Sequence, residues 1–470
     1  MGTISSAFGL ISQALQADQS GLSIVANNVA NANTTGYTEE TPSWQQNQPI
    51  DINGASYGTG VTQTGPVSVR DRVLQERLNQ QQELASASGA RLSGLDTLQA
   101  LFTPASGSAS STAGDIGSDI AKFFSSFSSL EANPTSNALR QQVLSTASTL
   151  SGDISNAAAS LNAQRSALDQ EAAGVTSQIN ALTGAIAQLN QQIQTNAHGA
   201  DAGTLEDQRQ QDISQLSKLI GINRVTTENN GLSLTTATGQ MLVSGGQSFQ
   251  LTNGTLNGAT HFFAGTTDLT AQLSAGGGSL GGYLTVRDQD IPQALSSLDQ
   301  LAYNISTSVN TQNNAGADLA GNNGNAGNLF SQPTLVAGSA KAMSVVMTDP
   351  NRIAAAGLGQ GTGDNTNAAA LASLGSQSIV NGQTPTNYYS SFVTTLGSTV
   401  SGVQTENTAQ NASVTQLQTQ VNALSGVNLN NEASAMTTLE RSYQAASQVF
   451  ALLNTIMSSA LNLGQQTTVS

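Results

Sequence analysis

The sequence predicts a mainly α-helical protein with a smaller β part: paired coiled-coil-like terminal helices, a long helical middle domain and a small β region. Three observations lead to this fold class. Apolar residues recur every three or four positions at both ends and through most of the interior, which is the period of a helix. One stretch, 222–273, instead carries short alternating runs between Asn-Gly and Gly-Gly turns, which is typical of strands. Only 9% of the 470 residues are charged and 4% are aromatic, which favours polar-faced helices over a dense enzyme core.

The composition argues against several classes of function. The net charge of −15 comes from 29 acidic and 14 basic residues, with no basic patch of the size that phosphate binding needs, so we expect no nucleic-acid partner. No apolar run approaches the roughly 20 residues of a membrane span, so we expect no membrane insertion. The absence of cysteine excludes disulfides, thiol catalysis and thiolate metal sites. The first basic residue is Arg70, so we expect no cleaved secretory signal.

The first element is predicted to be a helix with an a/d seam, because its apolar positions alternate by four and three with a polar interruption at Asp18. The pattern fits either an amphipathic helix on its own domain core or a seam that meets another helix. On the second interpretation, the seam and the turn after it contact neighbouring subunits. The residues expected to do so are Ile4, Phe8, Ile11, Leu15, Leu22, Val25, Asn27, Asn28, Val29, Asn31, Asn33, Gly36 and Tyr37.

The stretch NNVANANTTGY, residues 27–37, predicts the end of this helix. Asparagine is poor in a helix interior and good in caps and turns, because its side chain bonds to nearby backbone. Gly36 can adopt a positive φ without steric cost, and Tyr37 begins extended chain. The asparagines have two interpretations: they cap a helix, or they also form hydrogen bonds to neighbouring subunits.

The interior is predicted to be helical up to the β region. A helical rod over 136–197 would be about 90 Å long at 1.5 Å per residue. A Ser/Gly/Ala-rich loop is expected at 103–114. The other helices are predicted at 73–102, 116–133 and 205–220.

The last element mirrors the first. Its apolar positions alternate by three and four without a break, and the opposite faces are polar. A second coiled-coil-like helix is therefore predicted at the other end of the chain. Its residues expected to contact other subunits are Met436, Leu439, Arg441, Tyr443, Ala446, Phe450, Leu453 and Met457.

No catalytic, cofactor or metal site is expected. His198 and His261 are the only histidines, and neither has cysteines or paired carboxylates at ligand spacing. Arg287, Asp288 and Asp290 resemble an acid/base cluster, but an ion pair at the start of a helix explains them better. The glycine clusters lack the Lys-Ser/Thr of a phosphate loop and are interpreted as turns.

Both ends resemble bacterial flagellar rod, hook and hook-associated proteins. The N-terminal match is LSIVANNVANANTTGYTEETPSW at 22–44. The C-terminal match covers 429–463 and includes RSYQAA at 441–446. In these proteins the two terminal helices pair as the innermost layer of a tubular structure. The resemblance therefore implies that this chain assembles by folding and pairing of its terminal helices.

The interior narrows the resemblance to the hook-associated protein 1 family. Residues 276–310 and 316–330 are similar to internal signatures of that family, as are FFSSFSSLEANPTSNALRQQVL at 123–144 and GDNTNAAALASL at 363–374. The resemblance implies a structural, non-enzymatic protein that joins hook to filament. Its implied partners are copies of itself, hook protein, hook-associated protein 3 and a flagellar export chaperone. Its implied location is the extracellular flagellum, reached through the type III export apparatus.

The expected domains follow the same order along the chain. The terminal-helix domain comprises 1–37 and 426–470, and the helical middle domain comprises 38–221 and 276–425. The small β region is expected at 222–275. A loop-rich segment at 315–370 occupies the place where relatives carry a variable outer domain.

Two other functions fit parts of the sequence. The terminal signatures are shared by hook and distal-rod proteins, although the block at 276–310 argues against these. A secreted enzyme with axial-protein ends would need an insert with a catalytic constellation, and the sequence shows none.

Overall fold

The computed structural model describes residues 2–52, 55–102, 115–196, 203–226, 231–256 and 259–466. The loop predicted at 103–114 and His198 lie outside these residues. The side chain of Ile4 also lies outside the described part.

Helices dominate the described residues, and those of the interior begin and end within a few residues of the predicted positions. The helix α4 has 60 residues and is the predicted rod. A π-helical turn, Val286–Asp290, joins α7 to α8. The helices are α1 (Gly2–Asn31), α2 (Arg72–Ala100), α3 (Ile116–Ala132), α4 (Asn137–Asn196), α5 (Gly203–Leu219), α6 (Thr270–Ala275), α7 (Gly278–Thr285), α8 (Ile291–Ala315), α9 (Ser339–Ala342), α10 (Thr366–Ser373), α11 (Pro385–Ser425) and α12 (Leu429–Gln466).

Strands occur in two parts of the chain, and only the second was expected. In the predicted β region, β5 to β8 form one antiparallel sheet and β9 to β11 form another. The first part lies inside the range assigned to the helical middle domain, where no strand was predicted. There β1 pairs with β4 and β2 pairs with β3. The strands are β1 (Glu40–Gln46), β2 (Ile50–Ile52), β3 (Ala55–Tyr57), β4 (Val61–Ser68), β5 (Ile222–Thr226), β6 (Leu232–Thr236), β7 (Met241–Ser244), β8 (Gln247–Ser248), β9 (Leu251–Leu256), β10 (Ala259–Ala264) and β11 (Thr267–Asp268).

Two apolar cores lie along the rod α4, and together they form what we call the body, the described chain from α2 to α11. The first core joins the N-terminal half of α4 to α2, α3, α8 and α11. At its centre the Phe123 ring meets Phe127 and Phe330 edge-on, at centroid distances of 5.3 and 5.4 Å. The second core joins the C-terminal half of α4 to α5, α7 and the two β sheets. Because one helix crosses both cores, it fixes the β region relative to the helical part.

Arg287, Asp288 and Asp290 form ion pairs between elements, as predicted. Arg287 donates to both carboxylate oxygens of Asp288, at 2.8 and 2.7 Å, and to Asp169 of α4 at 2.8 Å. Asp290 accepts two hydrogen bonds from Arg91 of α2, at 3.0 and 2.9 Å. These groups therefore tie the start of α8 to two other helices.

The glycine cluster before α7 is a turn, as predicted, and it also allows close packing. Gly277 and Gly278 have φ values of +83° and +67°, which favour glycine. The Glu83 side chain lies against this turn and accepts a hydrogen bond from the backbone of Ile222. Burial, with a smaller effect from the nearby Glu76, raises the pKa of Glu83 to about 7.

This carboxyl predicts a pH-dependent stability. Glu83 has a higher pKa in the folded protein than in the unfolded chain, so its contribution to stability is complete below about pH 4.5 and is lost as the pH rises through about 7. At pH 5 the free energy of unfolding of Glu83→Gln should therefore match that of the parent. At pH 8 it should be larger than that of the parent. Urea unfolding at both pH values measures this, with the exposed Glu440→Gln as control. If the difference in unfolding free energy between Glu83→Gln and the parent were the same at pH 5 and pH 8, the assignment would be contradicted.

Candidate assembly interface

The two terminal helices pair, as predicted, and the structure shows that the pair is antiparallel and lies within one chain. Phe8 packs edge-on against Phe450, with ring centroids 5.0 Å apart. Gly21 faces Leu439 so closely that a Cβ at this glycine would lie 3.1 Å from both leucine methyl groups. Farther along, the Asn28 amide lies 3.1 Å from the Glu432 carboxylate. The partner numbers fall as the α1 numbers rise, so the contacts run the length of the pair.

The predicted seam residues lie partly at this contact and partly outside it. Val25 is buried, and Phe8, Ile11, Leu15 and Leu22 are half-buried. On α12, the half-buried residues are Leu439, Ala446, Phe450, Leu453 and Met457. The exposed residues of the two predicted sets are Asn27, Val29, Asn33, Gly36, Met436, Arg441 and Tyr443.

Asn28 holds the end of the helix pair together through four hydrogen bonds. Its amide donates to the Glu40 carbonyl at 2.8 Å and to Glu432 Oε1 at 3.1 Å. Its carbonyl oxygen accepts from the Glu40 backbone N–H at 3.1 Å and from the Tyr37 hydroxyl at 2.8 Å. Asn28 is only 1% exposed, so the structure places its polar atoms inside the chain, in contrast to Asn27 and Asn33.

The groups around Asn28 are poorly solvated. Burial raises the pKa of Tyr37 to about 12, with a further contribution from Glu40. Burial also raises the pKa of Glu432, whose Oε2 has no hydrogen-bond partner among the described residues. The helix pair is therefore closed at this end by a buried polar cluster in which one carboxylate oxygen is unsatisfied.

The turn after α1 has the predicted form. The helix ends at Asn31, whose carbonyl accepts from the Thr34 N–H at 2.8 Å. The Asn31 amide bonds to the Asn27 carbonyl at 3.0 Å, and Gly36 has a φ of +83°. This confirms the sequence-based interpretation of a capped helix end.

The chain passes between the helix pair and the body at Glu39, Val69 and Ser425, and we call this place the neck. The Glu39 N–H donates to the Ser425 carbonyl at 2.9 Å, and the Val69 N–H donates to the Glu39 carbonyl at 2.9 Å. The Ser425 hydroxyl donates to the Val69 carbonyl at 3.1 Å. The three chain segments that pass through the neck are therefore joined to one another by hydrogen bonds.

Buried charges attach the neck to α5. Arg70 pairs with Glu206 at 3.0 Å and with Asp207. Asp207 also accepts from the backbone N–H and the hydroxyl of Thr38, at 2.9 and 2.8 Å. Burial lowers the pKa of the neighbouring Arg209 to about 10. Charges this deeply placed are tolerated only when they are paired, so these contacts define how the helix pair is held on the body.

Asp207→Ala should loosen the neck. The substitution leaves the buried Arg70 with one carboxylate partner instead of two and removes both acceptors of Thr38. Because Arg70 keeps Glu206, the loss comes mainly from buried donors left without an acceptor, which costs about 1–3 kcal/mol of unfolding free energy. Urea unfolding and protease cleavage at the neck measure the loss. Asp96→Ala, an exposed aspartate on α2, is the control, and equal stability of the two variants would contradict the role given to Asp207.

A second apolar row on α12 remains uncovered. Val449, Leu452 and Ile456 follow helical spacing beside the seam that faces α1, and their side chains are 43%, 61% and 45% exposed. Tyr443 and Met436 lie on the other side of the seam and are 39% and 40% exposed. Sequence reasoning assigned one seam to this helix and missed the second, although the run VFALLNTIM carries both. A helix with two apolar rows can pack against two helical partners. Within the chain, α1 packs against one of the two rows.

The described residues show neither a metal-binding cluster nor a helix that could span a membrane. No group of His, Asp and Glu side chains among them is arranged to hold a metal ion. His261 is bonded to Asp268 at 2.7 Å, within the small sheet. No helix in the described ranges is long and apolar enough to cross a membrane.

Comparison with known protein families gives a consistent result. Residues 106–330 match the family described as flagellar hook-associated protein FlgK helical domain. Residues 12–38 match the family described as flagella basal body rod protein. The first match covers most of the body, and the second covers the end of α1 and the turn after it.

Curated relatives share the whole length of the chain. Flagellar hook-associated protein 1 of Salmonella typhimurium is 26% identical over 549 positions, covering 96% of this chain and 98% of the relative. The proteins of the same name from Escherichia coli and Bacillus subtilis are 25% and 24% identical and cover 96% of this chain. The alignment is longer than the 470 residues of this chain, so the Salmonella relative has segments without a counterpart here.

A solved structure shares the fold. The flagellar hook junction protein FlgK from Burkholderia pseudomallei superposes with a TM-score of 0.65 at 19% identity. The match covers 73% of this chain and 99% of that chain.

Proposed function

The chain belongs to the flagellar hook-associated protein 1 family, and we propose that its copies join through their terminal helix pairs at the hook–filament junction. The chain is a structural component of the flagellum, and the proposal concerns how it assembles. Each copy contributes one α1–α12 pair, and its terminal helices fold and pair as the copy is added. Neighbouring copies cover the apolar surface that the pair leaves exposed.

The second apolar row of α12 carries this proposal. Val449, Leu452 and Ile456 lie on one outer face of α12, and all three side chains are exposed. Burying a large apolar side chain contributes about 1.5–3 kcal/mol, so three such residues per copy give assembly a substantial driving force. In a protein that worked as a monomer, these apolar side chains would stay exposed to water without a function.

The contacts between copies are heterologous, because α12 meets a different helix on each side. Heterologous contacts generate an open helix or a ring rather than a closed dimer. The layer is bounded by hook protein on one side and hook-associated protein 3 on the other. An export chaperone holds the C-terminal helix before assembly, and the chain reaches the flagellum through the type III export apparatus.

The proposed domains follow the fold. Residues 1–37 and 426–470 form the inner terminal-helix domain, and the helical middle domain comprises 38–221 and 276–425, including the strands β1 to β4. The small β region spans 222–275. The loop-rich segment 315–370 takes the place of a larger outer domain, which fits the longer Salmonella relative. No enzymatic role is proposed, since the relatives are structural proteins.

Electron microscopy of cells that lack the gene tests the proposed function. The expected result is hooks without filaments, together with flagellin secreted into the medium. Restoring the intact gene should restore filaments, which controls for effects on neighbouring genes. Intact filaments on normal hooks in the deletion strain would contradict the junction role.

A further inference from the structure

We propose that Asn381 is a modification site, at which the folded chain converts an asparagine into isoaspartate without an enzyme. Asparagine followed by glycine is the sequence most prone to this conversion, because glycine has no side chain to shield its backbone nitrogen. The chain has six Asn-Gly pairs. Three of them lie wholly in the described ranges, at 253–254, 323–324 and 381–382. Of these three, the pair at 381–382 leaves both reacting groups free.

The reaction joins the side-chain amide of Asn381 to the backbone nitrogen of Gly382. The Gly382 nitrogen attacks Cγ of Asn381 and forms a new C–N bond. The side-chain nitrogen leaves as ammonia and takes with it the proton that the backbone nitrogen loses. Water then adds to the five-membered imide and opens it. Opening on one side gives aspartate, and opening on the other gives isoaspartate, in which the main chain runs through the former side chain.

The turn at Asn381 and Gly382 exposes both reacting groups. Among the residues that the structure describes, Asn381 is the one non-glycine with a positive φ, at +47°, and Gly382 follows at +78°. Two adjacent positive φ values form the tight turn of a hairpin, closed by two hydrogen bonds between Val380 and Gln383, at 3.1 and 2.9 Å. Both turn residues are exposed, and a Cβ added at Gly382 would meet no atom within 4 Å. Neither the Asn381 amide nor the Gly382 N–H is hydrogen-bonded to another described residue.

The other two described pairs are protected by the structure around them. In the pair at 323–324, the glycine N–H donates to the Gly316 carbonyl at 2.9 Å, and the asparagine oxygen accepts from the Gly359 N–H at 2.9 Å. The pair at 253–254 lies in β9, with its glycine opposite His261 in the ladder with β10. Ring closure at either place would first have to break these contacts, which requires local opening of the fold.

Conversion of Asn381 alters the edge of the first core. Val380, next to the turn, is fully buried in that core. Isoaspartate adds one carbon to the main chain of a two-residue turn, so the pairing of Val380 with Gln383 has to rearrange. Asn381 and Asp290 also line the same cavity, of about 280 Å³, so the new carboxylate adds a second negative charge there. We therefore expect the converted chain to be less stable than the parent.

Mass spectrometry of the purified chain tests the assignment, with the other two described pairs as internal controls. The chain is incubated at pH 8 and digested, and the three peptides are scored for exchange of the amide for a carboxyl group. A protein isoaspartate methyltransferase with labelled S-adenosylmethionine detects isoaspartate in each peptide. In the folded chain, conversion at 381 should exceed that at 253 and 323 by about tenfold or more, because these need local opening. In concentrated urea all three should convert at similar rates.

A pair of matched variants completes the test. Asn381→Asp removes the leaving ammonia and keeps a residue type that tolerates a positive φ, so labelling of the 381 peptide should fall several-fold. Asn323→Asp makes the same change in a protected turn and should leave that labelling unchanged. Equal conversion of the three pairs in the folded chain, or labelling that survives Asn381→Asp, would overturn the assignment. Neither result would bear on the junction role, which does not depend on this turn.

Discussion

Replacing Leu453 with aspartate is expected to separate α12 from α1 and to exclude the chain from the junction, while the body stays folded. Leu453 is half-buried on the seam that contains Phe450. Losing its partial burial removes about 1 kcal/mol, roughly half of the value for a fully buried leucine, and a carboxylate placed in the seam adds a desolvation cost. The pair has little stability to lose, because ordering each residue of these helices costs about 1–2 kcal/mol.

The fluorescence of Trp44 can measure whether α1 and α12 are paired. Trp44 is the single tryptophan and lies beside Gly21, where α1 meets Leu439, so its fluorescence reports the pairing. The expected result for Leu453→Asp is a changed Trp44 emission, a loss of helical circular dichroism and hooks without filaments in complemented cells. Leu22→Asp should behave in the same way. Gln444→Asp adds the same charge on an exposed polar face away from both apolar rows and should change none of these. Filaments formed by Leu453→Asp would count against the pairing.

Replacing Leu452 with aspartate is expected to produce the opposite combination: a normal isolated chain that cannot assemble. Leu452 is 61% exposed, so the new carboxylate stays in water and the free energy of unfolding should change by no more than about 0.5 kcal/mol. In the junction the same carboxylate would be buried against a neighbouring copy, which costs several kcal/mol, on the order of 3–5, without a partner charge.

Two assays separate these effects. Urea unfolding and Trp44 fluorescence of the purified chain should match the parent, and electron microscopy of complemented cells should show hooks without filaments. Leu358→Asp is a matched control, because Leu358 is also 61% exposed but lies on the loop-rich segment. Leu358→Asp should form filaments. Filaments formed equally by both variants would show that the second row of α12 is not an interface.

The sequence was sufficient where local pattern determines structure. The rod α4 and the short α3 follow from helical spacing, and the caps at Asn31 and Gly36 follow from the chemistry of asparagine and glycine. The β5 to β11 region follows from alternating runs between turns. Each of these signals lies within a few residues of the feature that it predicts.

Features formed by distant parts of the chain could not be predicted in this way. The strands β1 and β4 lack clear alternation, and their pairing joins Glu40 to Ser68 across a long insertion. Asn28 contacts Glu432, which is 404 residues away in sequence. The residues near Asn28 in the sequence therefore could not predict this buried contact. The neck brings Thr38 and Arg70 to Asp207 in the same way. The second apolar row of α12 could be recognised in the sequence, but only one apolar seam was assigned to this helix.

Electron cryomicroscopy of the junction tests the central claim most directly, since it shows which side chains face another copy. The account predicts that α1 and α12 of each copy remain paired and that Val449, Leu452 and Ile456 are buried against a helix of the neighbouring copy. A junction in which these three side chains face solvent, or in which α1 and α12 of one copy lie apart, would contradict it.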